Sequence, residues 1–206
     1  MTSKIAIIGA GNVGGNLGAT FVKAGFDVCF GVKDKPKKSV EGAKLDSVEA
    51  AAKFGDVVFM AVPAQVAVDV ARSLASVLKD KIVVDCNNSL TFDKGPVWAP
   101  PAEGSLAQAI AKAAPGAKVV KGFNTFGAEF HADPMHAGVP ANVFLASDDA
   151  GAKKTVSDIA TKAGFAPVDA GPLRNAGVLE NLAILWIHLA MVGGQGRDFT
   201  FVMTKK

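Results

Sequence analysis

The stretch from Lys4 to Ala24 constrains the fold more than any other part of the chain. A short apolar run, Ile5 to Ile8, leads directly into Gly9, Gly11 and Gly14 in the spacing G-x-G-x-x-G, and a segment of helical period opens at Asn12. Glycine at the first position permits a tight turn, at the second lets a ligand approach the backbone, and at the third lets helix and strand pack closely. Such a triplet is weak evidence alone. Between a strand and a helix start it predicts a βα unit whose first helical turn, at Asn12 and Val13, presents unpaired N–H groups and a positive dipole end.

The same alternation continues along the 206 residues. Strand-length apolar runs are expected at Lys4 to Gly9, Asp27 to Val32, Val57 to Val62, Ile82 to Asp85, Val119 to Phe123, Asn142 to Ala146 and Ala166 to Asp169. Helical segments are expected at Asn12 to Ala24, Ser47 to Lys53, Gln65 to Leu78, Ser105 to Ala114, Ala152 to Ala163 and Val178 to Val192. Val66, Val70, Leu74 and Leu78 form the expected buried stripe of the third helix. Pro96, Pro100 and Pro101 mark a loop, and Phe199 to Met203 reads as a closing edge strand. Right-handed crossovers turn this series into an α/β fold, a doubly wound, mostly parallel Rossmann sheet with a small C-terminal helical extension. Ligands are then expected at the carboxyl ends of the strands. No linker divides the chain, so residues 1–206 read as one dinucleotide-binding domain.

In this setting the glycine turn predicts a dinucleotide, and the end of the second strand bears on which one. Where an acidic residue would take a free ribose, the chain has Gly31, followed by Val32, Lys33, Asp34, Lys35, Pro36, Lys37 and Lys38. Lys33 with Lys35, Lys37 or Lys38 would pair with a 2'-phosphate, which favours NADP. Asp34 also lies about twenty residues past the glycines and argues for NAD; a solvated lysine turn is the bland alternative.

Composition narrows the class further. The net charge of +3 comes from those four lysines, a local spot rather than the basic face with interleaved aromatics that a nucleic-acid binder needs. No segment reaches the roughly 18 apolar residues of a membrane span, and no secretory leader is evident, so a cytoplasmic location is expected, with neither membrane nor nucleic acid as partner. Cys29 and Cys86 sit in apolar runs and read as free buried thiols. The absence of Tyr excludes a Tyr–Lys proton donor. His131 and His136 lack the further ligands and supporting shell of a metal site, and none is expected. His188, on an apolar helix, reads as a buried, satisfied side chain.

Several segments together resemble the coenzyme F420-dependent NADP oxidoreductase family: Ile7 to Gly15, Gly31 to Asp34, Ala61-Val62-Pro63, Lys121 to Ala128 with its Phe-Asn-Thr core, Ala170 to Asn175, and Leu179 to Ala183. The resemblance covers nearly the whole chain. It implies an enzyme that exchanges hydride between NADP(H) and the deazaflavin coenzyme F420; related reductase domains of transmembrane ferric reductases use a flavin. It places Gly9, Gly11, Asn12, Val13, Gly14, Val32, Lys33, Lys37, Ala61, Val62 and Pro63 on the dinucleotide. It places Asn124 and Thr125 as candidate catalytic residues near the nicotinamide, Asn124 also binding the cofactor, and Gly171, Pro172, Leu173 and Asn175 as further cofactor-binding residues on a facing lip. Two departures stand out: Val32-Lys33 replaces the usual Ser-Arg, and Asn87-Asn88-Ser89 replaces Thr-Asn-Pro. Such transfer needs two rings held face to face, with the cofactors carrying the chemistry. Alternatives are an NADPH-binding sensor, a flavin or ferric reductase, and an imine reductase of the pyrroline type.

The last helix is apolar around nearly its full circumference, from Leu182 and Ile184 to Trp186 and Leu189. A helix of that kind is expected to be covered on every side. Its outer face is expected to supply the interface of a homodimer, with burial in the chain's own core as the alternative, and the resemblance implies that residues 170–206 also complete the acceptor site.

Overall fold

The computed structural model describes residues 3–34, 40–204 and 206. Its first half runs β1 (Lys4–Ile8), α1 (Asn12–Lys23), β2 (Asp27–Gly31), β3 (Lys44–Asp46), α2 (Val48–Phe54), β4 (Val57–Met60), α3 (Ala64–Ser73), α4 (Ala75–Leu78) and β5 (Ile82–Asp85). The second half runs β6 (Leu90–Phe92), β7 (Pro96–Trp98), α5 (Leu106–Ala113), β8 (Lys118–Lys121), α6 (Ala128–Ala132), β9 (Met135–His136), β10 (Val139–Pro140), β11 (Asn142–Leu145), α7 (Ala150–Lys162), β12 (Ala166–Asp169), a 3-10 turn (Leu173–Asn175) and α8 (Ala176–Met191).

Six parallel strands form the main sheet in the order β3-β2-β1-β4-β5-β8, as the doubly wound reading expects. A bridge between Lys121 and Ala146 joins β8 antiparallel to the β11–β12 pair. Strands covered on both faces read as unbroken apolar runs, and β1 shows why. Ile5 and Ile7 enter one core, with Leu17, Phe21, Phe59 and Phe123, while Ala6 and Ile8 enter the other, with Ala51, Ala67, Ala71 and Ala107. The first core is filled by aromatic rings, Phe59 lying 4.8 Å from Phe21 and 5.5 Å from Phe123 between centroids. The second is lined by alanines, which let α2, α3 and α5 lie close on the sheet.

Several expectations are corrected. The helix expected over Gln65 to Leu78 breaks at Leu74 into α3 and α4. Its buried face is Ala67, Ala71, Leu74 and Leu78, and Val66 is exposed, because the close approach to the sheet admits alanine rather than valine. The loop expected around Pro96 contains the hairpin β6–β7, closed at its base by Ala99 N–H to Ser89 O and Ser89 Oγ to Ala99 O. Phe199 to Met203 form no strand. Phe199 instead stacks on Trp186 at 5.3 Å and accepts its indole N–H, while Arg197 grips both carboxylate oxygens of Glu129.

Candidate functional site

At the carboxyl end of β1 the three glycines do different physical work. Gly9 has φ +103°, and a Cβ there would fall 2.5 Å from Ala61 O. A Cβ on Gly14 would fall 2.1 Å from Gly9 O, so helix and turn touch through their backbones. Around Gly11 nothing lies within 4 Å of a Cβ position, and the residue is exposed. That open space is where a ligand can reach the backbone, and it faces the start of α1. The helices α2, α5 and α7 close their N-termini with Ser47, Ser105 and Asp149 side chains. At α1 the cap is Gly11, with no side-chain bond and no acid in the first turn. Asn12 and Val13 thus open a helix end suited to an anion.

Beside this turn lies the end of β2, where Gly9 N–H donates to Gly31 O. A Cβ at position 31 would sit 2.8 Å from Ile8 Cδ1 and 3.0 Å from Val48 Cα, so packing against α2 excludes an acidic side chain there. Any side chain reaching beyond this strand end must come from the residues that follow. Val32 is half-buried and Lys33 and Asp34 are exposed; Lys37, also expected on the dinucleotide, lies outside the described residues. Ala61 and Val62 join the turn directly, since Ala61 N–H donates to Ile8 O and Val62 Cγ1 lies 3.3 Å from a Cβ on Gly9. Pro63 caps α3 next to them.

Asn124 and Thr125 lie beyond β8, both buried. Asn124 donates both amide hydrogens, to Asn88 Oδ1 at 2.8 Å and to Leu179 O at 3.1 Å, while Asn88 Nδ2 donates back to Asn124 O at 2.9 Å. Its Oδ1 is buried and unpartnered. Asn124 is therefore held as an acceptor, with no N–H left to give.

Behind it is a cluster that the motifs did not single out. Lys121, Asp85 and Glu180 are fully buried, with the ammonium 2.8 Å from Asp85 and 3.2 Å from Glu180. The third ammonium hydrogen goes to Asn87 O. Burial opposes the charge on Lys121, but the two carboxylates outweigh it and hold its pKa above the ordinary value. The only signal in the sequence is the placement of a lysine and a glutamate inside apolar runs, at Val119-Val120-Lys121 and Leu179-Glu180.

Phe123, between the cluster and Asn124, has φ +59°, a left-handed conformation uncommon outside glycine. His131 fixes it. The carbonyl of Phe123 can only accept, so His131 Nε2, 2.8 Å away, carries the hydrogen and Nδ1 is left bare and unpartnered. Burial pushes this imidazole down to about 4, so it is neutral near pH 7.

Gly171, Pro172, Leu173 and Asn175 lie between β12 and α8, the last two in the 3-10 turn. Gly171 O accepts from Ser147 N–H and Lys153 Nζ, Leu173 N–H donates to Asp148, and Asn175 Nδ2 closes its own turn on Ala170 O. Among the described residues this segment makes no hydrogen bond to the glycine turn, Ala61 or Asn124. Cys29 and Cys86 are free and buried, and burial raises both thiols. His136 faces Asp198 at 3.4 Å, and among the described residues no three His, Cys, Asp or Glu side chains are grouped to hold a metal ion. His188 is exposed, contrary to expectation, because it lies on the outward side of α8. No described helix is long and apolar enough to cross a membrane.

Residues 4–89 match the family model described as NADP oxidoreductase, coenzyme F420-dependent. The F420-dependent NADP reductase of Methanocaldococcus jannaschii is 29% identical over 208 residues, covering 90% of this chain and 92% of the relative. The metalloreductase STEAP3 of Rattus norvegicus is 30% identical over 186 residues, 88% of this chain, which thereby spans 36% of that longer protein. A solved structure of a candidate F420-dependent NADP reductase from Arthrobacter sp. FB24 superposes with a TM-score of 0.88 at 28% identity, over 98% of this chain and 100% of the other.

Proposed function

We propose that this chain, whose residues 4–89 match the family model of coenzyme F420-dependent NADP oxidoreductases, is an NADP-dependent oxidoreductase transferring hydride between NADP(H) and a deazaflavin, coenzyme F420, or a flavin. The observation that carries this reading is the open backbone at Gly11 beside the uncapped start of α1. The diphosphate would be held by Gly9, Gly11, Asn12, Val13 and Gly14, and the additional phosphate by Lys33 with Lys37. Val32, Ala61, Val62 and Pro63 would flank the dinucleotide. When bound, NADPH supplies the hydride.

The chain's own part is orientation and exclusion of water. Asn124 offers an oxygen acceptor fixed in place by Asn88 and Leu179, suited to an N–H on the pyrimidine-type ring edge of the hydride acceptor. Thr125 lies beside it. No protein acid is required for the transfer itself. Residues 170–206 complete the same unit, with Gly171, Pro172, Leu173 and Asn175 as a lip of the acceptor site. We place the protein in the cytoplasm.

Stopped-flow absorbance at the nicotinamide band tests the reading, with F420, FMN and ferricyanide offered in turn. Oxidation of NADPH by F420 or FMN is expected. Oxidation by ferricyanide alone points to a metal reductase, as the likeness to STEAP3 allows; binding without turnover makes the protein a sensor.

The homodimer belongs to the same proposal. Val178 and Leu185 on α8 and Val192 at its C-cap are exposed, seven residues apart and so on one stripe, while Leu179, Ala183, Trp186 and Ala190 face inward. A second copy of this stripe is the expected cover. Sedimentation equilibrium should give twice the mass of the chain, and a monomer at high concentration would refute it.

A further inference from the structure

We propose that the buried Lys121–Asp85–Glu180 cluster is a positioning device for Asn124, setting the acceptor side of the site while leaving the glycine turn independent of it; this rests on the hydride-transfer reading above.

The cluster is closed electrostatically. It holds two carboxylates against one ammonium, and the surplus negative charge is met by the N-terminus of α5. Glu180 Oε1 accepts from Leu106 N–H, the first residue of that helix, at 2.9 Å, and α5 has no acid in its own first turn. Glu180 Oε2 accepts from Trp98 Nε1 at 3.0 Å. Asp85 Oδ1 accepts from Asn87 N–H and Nδ2 at 3.1 and 3.0 Å. One charged group thus joins the ends of β5 and β8, the hairpin β6–β7, the start of α5 and the middle of α8. Buried charges of this kind are often no more stabilising than apolar residues of the same volume, so what the arrangement gains is fixed geometry.

That geometry converges on Asn124 from two sides. On one side, Lys121 and Asp85 hold Asn87, whose neighbour Asn88 exchanges two hydrogen bonds with Asn124. On the other, Glu180 fixes the turn of α8 in which Leu179 O accepts the second amide hydrogen of Asn124. Both donors of Asn124 are consumed by segments that the cluster anchors, and its buried Oδ1 is the one polar atom of the side chain left without a partner. The glycine turn takes its own contacts from Gly31 and Ala61 instead.

Glu180→Gln keeps the shape of the side chain but sets an amide donor against Lys121 or Trp98. Asn88→Ala cuts the link to Asn124 without touching a buried charge, and serves should Glu180→Gln fold poorly. Wild type and both variants are compared by amide hydrogen exchange, NADPH fluorescence titration and single-turnover hydride transfer to F420 and FMN. In both variants exchange over residues 86–89 and 123–126 should rise at least tenfold and hydride transfer should slow at least tenfold, with NADPH affinity and exchange over residues 9–14 within twofold of wild type. Unchanged exchange at 123–126, or loosened exchange with undiminished transfer, overturns the proposal; so does an equal loss of NADPH affinity. A wild-type protein that binds NADPH but transfers nothing refutes the functional reading instead, and exchange at 123–126 then still decides whether the cluster orders Asn124.

Discussion

The glycine turn and the Asn124 corner stand at the same edge of one sheet, yet they are built by opposite means. At the turn, the ligand-facing surface is backbone, shaped by what side chains are absent: a Cβ on Gly14 would meet Gly9 O, and one on Gly11 would enter open space. At the corner, the surface is a side-chain amide whose every donor is tied down, backed by three buried charges and a left-handed phenylalanine. A backbone site depends on local geometry. A side-chain site depends on a network, and it should fail differently when either is disturbed.

The largest effect is expected from Lys121→Met, which leaves two buried carboxylates without their cation. Breaking such a pair costs about 3–5 kcal/mol. At about 2–4 °C per kcal/mol for a chain of this size, the melting temperature should fall by roughly 6–20 °C in calorimetry. A fall of a degree or two would mean that the corner is not held by charge.

Acid should act on the corner next. His131 is held at about 4 when folded, against 6.5 for the free side chain. Between those values the unfolded state binds more protons, so stability is fully present above pH 6.5 and declines as pH falls toward 4, by about 3 kcal/mol in all. Urea titrations of His131→Gln across this window should lose the part of the slope that one histidine contributes; an unaltered slope would assign it to other groups.

At the turn, two alanine substitutions should separate packing from binding. Gly14→Ala forces a Cβ against a carbonyl and should cost about 1–3 kcal/mol of stability. Gly11→Ala should leave stability within about 0.5 kcal/mol while weakening NADPH in a fluorescence titration, because the added methyl group occupies the ligand's space. Equal stability losses would show that Gly11 is a packing glycine like Gly14. The smallest effect is expected from Lys33→Asp, which should weaken NADPH roughly tenfold, about 1.4 kcal/mol, and leave NADH nearly unchanged. Parallel losses for both nucleotides would remove Lys33 from phosphate recognition.

The same contrast explains what could be read in advance. The turn is legible because its three glycines lie within six residues and each has a local steric reason, and the strands of the parallel sheet are legible because both faces are buried. Asn124 could be named from its motif, but not its state. Its partners come from Asn88 and Leu179, and the charges behind it pair residues 36 and 59 positions apart. No periodicity records such a distance; only ionisable residues in apolar runs hint at it. The hairpin around Pro96 is hidden for a different reason: its strands are three residues each, too short to show a period, and the proline at the start of β7 reads as a loop. The exposed Val66 shows that apolar spacing alone misjudged which side of α3 meets the sheet, since close packing selected Ala67 and Ala71.

The central claim is that the turn from Gly9 to Gly14 grips a dinucleotide and that the ammonium groups after β2 sense one further phosphate. Isothermal titration of the intact protein with NADPH and with NADH tests it most directly. One NADPH site per chain is expected, at least tenfold tighter than NADH. The absence of heat from either nucleotide would contradict the claim outright, and equal affinities would leave the grip without the phosphate sensor.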